Sequence, residues 1–285
     1  MRREPSVDAH AHVISPFAKI PEGPGNKPAP AAFRTQEEFY GVLAGHGITH
    51  GLIVQPSCYQ HDNEVTLAAV EHGPRNALKA IAIPAADVAS EDLDAMTRRG
   101  AIGMRVNLIS LDPGFFERPD AKRLLRMLQE RDWWLQIHVR ASDFPKYEKV
   151  IRAAYDGGKI IFDHFGRPDV AAGIEEPGFA RLLAFARDVR PAVKISAAYR
   201  SSKERFPWQD CDAHVAAVIE AFGIERCVWG SDWPFVNYEN DVTYLQTFEW
   251  LARVVPDGAD RRKVLWENPA RLFGFSQASN EERTR

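Results

Sequence analysis

Val7-Asp8-Ala9-His10-Ala11-His12 sets two imidazoles two positions apart among small and apolar residues, near the start of a 285-residue chain. On an extended strand alternate side chains share a face. His10 and His12 therefore project side by side from one strand end. Two imidazoles so placed make half of a metal site, or a pair of donors aimed at one substrate oxygen. Two ligands alone are equally compatible with a solvated surface strand. What the rest of the chain brings to this strand decides.

Short β-branched or aromatic runs recur at 6–13, 50–55, 77–83, 101–108, 133–139, 159–165, 192–198 and 226–232. Most are continuously apolar, as strands buried on both faces are. Helical spacing fills the intervals at 35–46, 63–71, 90–99, 121–131, 145–155, 178–187, 212–222 and 242–254, and a last helix follows. Eight such βα pairs match a single-domain (β/α)8 TIM barrel over residues 1–275, with a polar, frayed tail at 276–285. A doubly wound open sheet is the runner-up, weakened because no GxGxxG or P-loop pattern follows a strand. Residues 15–32, rich in Pro, Gly and Ala, form a long loop after the first strand, either a lid over the barrel mouth or a plain surface loop. Asn268-Pro269 reads as an N-cap with proline at the first helical position.

Barrel enzymes build their sites at the C-terminal ends of the strands. There this chain places His10 and His12, Ser57 after Gln55, Arg105, His138, His164, Tyr199-Arg200 beyond Lys194 and Ser196, and Asp232. Charged and hydrogen-bonding groups are costly inside apolar strands unless paired, so their concentration at strand ends is informative. His10, His12, His138, His164 and Asp232 come from four strands and can converge. A His-x-His pair with a third histidine and an aspartate suits one divalent ion, Zn²⁺ or Mn²⁺. Arg105, Arg140, Arg167 and Arg200 lie at or just past strand ends, and guanidinium forks grip carboxylates. Arg105, Arg167 and Arg200 are expected to hold an anionic substrate, with Ser57, His138 and Tyr199 as further substrate contacts, and Arg140 to point outward. Asp163, one residue out of phase with His164, is expected to face the helices, and His46, His50, His61, His72 and His214 to be solvated.

The composition is that of an ordinary globular protein, 45% hydrophobic and 26% charged, with a net charge of -3. Nothing in that balance points to a nucleic-acid or membrane surface. Three scattered cysteines and no long apolar stretch favour a cytoplasmic setting. The sequence leaves a homo-oligomer open.

The segments Val7–His12, Asp163-His164-Phe165-Gly166-Arg167-Pro168-Asp169 and Trp229-Gly230-Ser231-Asp232-Trp233-Pro234 resemble the amidohydrolase superfamily. More narrowly they resemble its lactonase branch, which holds 2-pyrone-4,6-dicarboxylate lactonases and sugar-acid lactonases. Val54-Gln55-Pro56-Ser57 with Asp62-Asn63, and Asn268-Pro269-Ala270-Arg271-Leu272-Phe273-Gly274, carry the same likeness, so it runs over nearly the whole chain. The resemblance implies a distorted TIM barrel that opens a lactone ring, with Asp232 activating water. It implies metal-type positions at His10, His12, His138 and Asp232, with His164 as an adjacent acid, base or donor. Pyrone-dicarboxylate lactonases work without metal, so metal-free activity stays open. Where the branch often has His after Trp-Pro, this chain has Phe235. The expected reaction is hydrolysis of a small anionic lactone. A metal-dependent decarboxylase, a lactone isomerase and a silent ligand-binding barrel are the rivals.

Overall fold

The computed structural model describes residues 4–16, 20, 32–109 and 113–276. Eight parallel strands form one sheet in chain order. They are β1 (Val7–Ala11), β2 (His50–Val54), β3 (Leu78–Ala82), β4 (Ala101–Asn107), β5 (Trp134–His138), β6 (Lys159–Phe162), β7 (Ala192–Ser196) and β8 (Cys227–Gly230). Helices α1 (Gln36–His46), α2 (Glu64–Glu71), α3 (Ser90–Arg98), α4 (Pro119–Glu130), α5 (Phe144–Ala154), α6 (Pro177–Val189), α7 (Asp212–Phe222) and α8 (Tyr244–Val254) follow the strands in turn. The result is a single (β/α)8 barrel. Thr35 opens α1 with a capping box, and Thr243 does the same for α8.

The ends of the sheet meet just past the strands. Asp232 N–H donates to the His10 carbonyl at 2.8 Å, and His12 N–H to the Trp233 carbonyl at 2.7 Å. This seam needs Gly230, because a Cβ there would stand 2.6 Å from His10 Cβ and 2.7 Å from His10 N. Val7, Ala9, Leu52, Val54, Ile81, Ile161, Ala192 and Val228 fill the lower interior, and Trp266, Phe273 and Phe275 cluster with them. The larger core lies between strands and helices, with Ile53, Val106, Ile137, Phe162, Ile195 and Trp229 facing it.

Asn268 is not an N-cap. It continues a helical path from α9 (Gly258–Arg262) through a π turn, Lys263–Glu267, into α10 (Asn268–Phe273). Its side-chain amide donates to the carbonyls of Ile224 and Cys227, tying α10 to the start of β8. His50 and His214 are buried rather than solvated. His50 packs on Trp266 and Phe275, and His214 packs on Phe179. The expected lid at 15–32 and the tail at 276–285 fall mostly outside the described residues. The base of that loop is clamped by paired backbone bonds between Ile14 and Arg34, at 2.7 and 2.8 Å. No helix among the described residues is long and apolar enough to cross a membrane.

Candidate active site

The polar side chains aim into the barrel through two departures from strand alternation. The β1–β2 register shifts between Asp8 and Ala11, and such an irregularity re-aims the side chains beyond it. Asp8 points outward, accepting from Ser231 Oγ at 2.6 Å and Tyr244 OH at 3.0 Å, while His10 points inward at Lys194. Burial pushes the Asp8 carboxyl up to about 6. After β6 the backbone turns left-handed at His164, Phe165, Gly166 and Arg167. That turn swings His164 inward directly after Asp163, which is why adjacent residues share the interior. Asp163 therefore does not face the helices. Non-glycine residues held at positive φ cost about 1–3 kcal/mol each and concentrate at functional sites. Asp232 is another, at φ 64°.

Asp232 is the centre of the arrangement and is buried. Its Oδ2 accepts from Tyr199 OH at 2.6 Å and Arg200 Nε at 2.5 Å. Its Oδ1 faces three imidazoles, with Nε2 of His10 and His12 at 3.6 Å and Nε2 of His164 at 3.9 Å. Burial works to raise this carboxyl, but the Arg200 guanidinium, aided by His164, His12 and His10, holds it well below the usual range. A carboxylate so held stays ionised and keeps one oxygen available.

His12 Nδ1–H donates to the Val54 carbonyl at 2.7 Å, which leaves its Nε2 lone pair facing His10 Nε2 at 3.3 Å. His10 Nδ1 has two neighbours, Lys194 Nζ at 3.3 Å and Asp163 Oδ1 at 3.2 Å. Burial and the Lys194 charge keep His10 neutral, pushing it down to about 3. Burial also keeps His164 and His138 neutral, well below the ordinary histidine value. His164 Nδ1 lies 2.9 Å from Ser196 Oγ.

A polar layer lies under these rings. Asp163 Oδ2 accepts from Arg105 Nε at 3.2 Å and Gln136 Nε2 at 3.1 Å. Lys194 Nζ donates to Gln136 Oε1 at 2.6 Å and stands 3.6 Å from Asp163 Oδ1. Asp163, Gln136 and Lys194 are fully buried. The sequence reading turns Asp163 toward the helices and gives Gln136 and Lys194 no role, although a lysine and a glutamine inside apolar strands β7 and β5 are the available signal.

His10 Nε2, His12 Nε2 and Asp232 Oδ1 could hold a metal ion together. Ligand bonds of about 2.0–2.2 Å in a tetrahedron put neighbouring donors roughly 3.3–3.6 Å apart. The separations of 3.3, 3.6 and 3.6 Å fit that spacing. His10, Asp163 and His164 form a second, overlapping group. His138 is in neither. Its Nδ1 meets Arg105 Nη2 at 3.1 Å, and its ring stands edge-on to His164, 5.2 Å between centroids.

The remaining expected residues divide into held and unpaired groups. Ser57 Oγ accepts from Asn107 Nδ2 at 3.0 Å and Arg105 Nη1 at 3.4 Å, which leaves its own O–H to donate. Tyr199 OH is committed to Asp232, and Arg200 lies against the rings of Tyr199 and Tyr238. Arg167 has no ion-pair partner among the described residues, and burial pushes its guanidinium down to about 10. Arg140 is exposed beside Asp143. Phe235 is buried against Tyr199.

Comparison with known proteins agrees with this geometry. The chain is 30% identical to 4-sulfomuconolactone hydrolase of Hydrogenophaga intermedia, over 94% of this chain and 88% of the relative. It is 28% identical to D-galactarolactone isomerase of Agrobacterium fabrum, over 95% of this chain and 91% of the relative. A crystal structure described as a probable 2-pyrone-4,6-dicarboxylic acid hydrolase from Acinetobacter baumannii, with citric acid bound, superposes with a TM-score of 0.86 at 28% identity, covering 95% of this chain and 99% of that one. The amidohydrolase family profile matches residues 7–275, and the chain belongs to that family.

Proposed function

We propose that this hydrolase opens a lactone ring that carries an anionic substituent, with Asp232 as general base. The observation that carries the reading is the division of labour on Asp232. Oδ2 is fixed by Tyr199 and Arg200, while Oδ1 is left facing three imidazoles. Oδ1 takes a proton from water, whose oxygen attacks the ring carbonyl. A base that stays ionised at neutral pH suits that step. His164 supports the tetrahedral intermediate or the leaving oxygen, and His10 and His12 present nitrogens to the carbonyl side. When bound to His10, His12 and Asp232, a divalent ion would polarise the carbonyl and acidify water. The nitrogen-rich set favours zinc, with manganese next. Without it, His10, with Lys194 donating to its Nδ1 and its own proton on Nε2, acts directly as a donor.

Arg167 supplies the argument for substrate charge. A largely buried guanidinium without a carboxylate of its own is costly, and an anionic group on the substrate offsets that cost. Two of the similar proteins point the same way, since the name of one carries a sulfo group and that of the other a dicarboxylic acid.

The test is a screen of carboxylated, sulfonated and neutral lactones by proton release, run beside Asp232→Asn. The wild-type chain should open an anionic lactone, and the variant should lose roughly 10²–10⁴-fold in kcat. Full turnover by Asp232→Asn would end the assignment.

A further inference from the structure

His138 closes β5, and its ring is held from one side. Arg105 Nη2 lies 3.1 Å from His138 Nδ1. A guanidinium only donates and does not lose its protons in proteins, so Nδ1 must be the acceptor. Arg105 is not free to turn away, because its Nε is on Asp163 at 3.2 Å and its Nη1 on Ser57 Oγ at 3.4 Å. A proton on Nδ1 would set N–H against N–H. The single ring proton therefore sits on Nε2. That nitrogen is buried and has no hydrogen-bond partner among the described residues. A buried donor without a partner is rare in a native protein and calls for an explanation.

We infer that His138 is not a metal ligand but an oriented donor, whose Nε2–H binds an anionic oxygen of the substituent on the lactone ring. This rests on the lactone reading above. Ligation needs a bare nitrogen. One His138 nitrogen carries the proton, and the lone pair of the other is taken by Arg105. Independently of its proton, His138 lies outside both groups of described residues whose ligand atoms are close enough together to hold an ion. Its place fixes which oxygen it meets. His10, His12 and His164 face Asp232 Oδ1, whereas the His138 ring stands edge-on to His164, 5.2 Å between centroids, and has no such contact with the base. The substituent, rather than the reacting carbonyl, is the partner this leaves to His138. Ser57, with its free O–H, shares Arg105 with it. Arg105 acts here as a positioning residue, since three of its nitrogens are engaged and it sharpens the His138 donor.

Two arms test this. In the first, ¹⁵N-labelled protein is examined by long-range ¹H–¹⁵N correlation before and after one equivalent of zinc, with His138→Gln assigning the ring. The expected result is Nε2 protonated and Nδ1 bare in both states, while His10 and His12 respond to zinc. A His138 Nε2 that loses its proton to zinc overturns the inference. In the second arm, His138→Gln keeps an N–H near the Nε2 position and His138→Leu removes it. The Gln variant should hold KM within about 3-fold, and the Leu variant should raise KM roughly 10–100-fold with little change in kcat. Both should bind zinc like the wild type. An unchanged KM in the Leu variant, or zinc lost from both, overturns it. If no lactone is opened, the functional reading fails by that result, and the first arm still decides the proton's position.

Discussion

Lys194 Nζ lies 3.3 Å from His10 Nδ1, deep in the barrel and sealed from solvent. Asp163 Oδ1 approaches the same nitrogen at 3.2 Å. Only one of these neighbours is satisfied at a time. With Lys194 donating to Nδ1, the His10 proton sits on Nε2 and points at His12. With Asp163 accepting from Nδ1–H, the Nε2 lone pair is free for an ion. The choice between ion-assisted and direct chemistry is therefore set beneath His10.

Lys194→Met removes the ammonium and leaves Asp163 to orient His10. Zinc affinity, measured by competition with a chelator, should rise roughly 10-fold or more, the scale of one charge-assisted hydrogen bond. Activity in chelator-treated enzyme should fall in the same variant. Unchanged or weaker zinc binding, in a variant that keeps its far-ultraviolet circular dichroism, would contradict the account of His10.

Arg200→Gln tests how Asp232 is held ionised. Arg200 is the strongest of the groups that lower this carboxyl. Without it the folded-state pKa rises, so the base becomes protonated, and inactive, at a higher pH. The acid limb of kcat/KM should move to higher pH, with activity at neutral pH down by roughly 10-fold or more. An acid limb that stays in place would show that another group governs it.

The buried imidazoles also make folding pH-dependent. His10 is pushed down to about 3, and His138 and His164 lie well below the ordinary value. In the unfolded chain they protonate near about 6.5. Below that pH the unfolded state binds more protons, so stability falls on acidification, by up to about 1.4 kcal/mol per pH unit for each ring. Asp8 opposes this. It keeps its proton up to about 6 when folded and gives it up from about 3.9 when unfolded, so it offsets one ring. Urea midpoints of the metal-free protein should therefore drop steadily from pH 6.5 to 4.5. A flat profile would mean that the rings are protonated in the folded state.

Strand and helix placement was legible because the βα rhythm and the apolar strands are local signals. The convergence of the candidate residues was legible because polar groups at the ends of apolar strands have few structural uses. What could not be read depended on backbone irregularity. Strict alternation puts Asp163 and His164 on opposite faces, and the left-handed turn at His164 cancels that. The register shift after Asp8 likewise separates it from His10. Asn268-Pro269 carries the local signature of a helix start, yet the preceding π turn continues the helix, and the Asn268 amide serves two carbonyls of another element. His50 and His214 have no polar pattern that distinguishes a buried ring from an exposed one.

Hydrolysis is distinguished from isomerisation and decarboxylation by the origin of one oxygen. The wild-type enzyme should be incubated with an anionic lactone in H₂¹⁸O and the product weighed by mass spectrometry after a single turnover. Water attack under Asp232 predicts one ¹⁸O in the new carboxylate and no loss of carbon. A product without ¹⁸O, or one that has released carbon dioxide, would contradict the central claim.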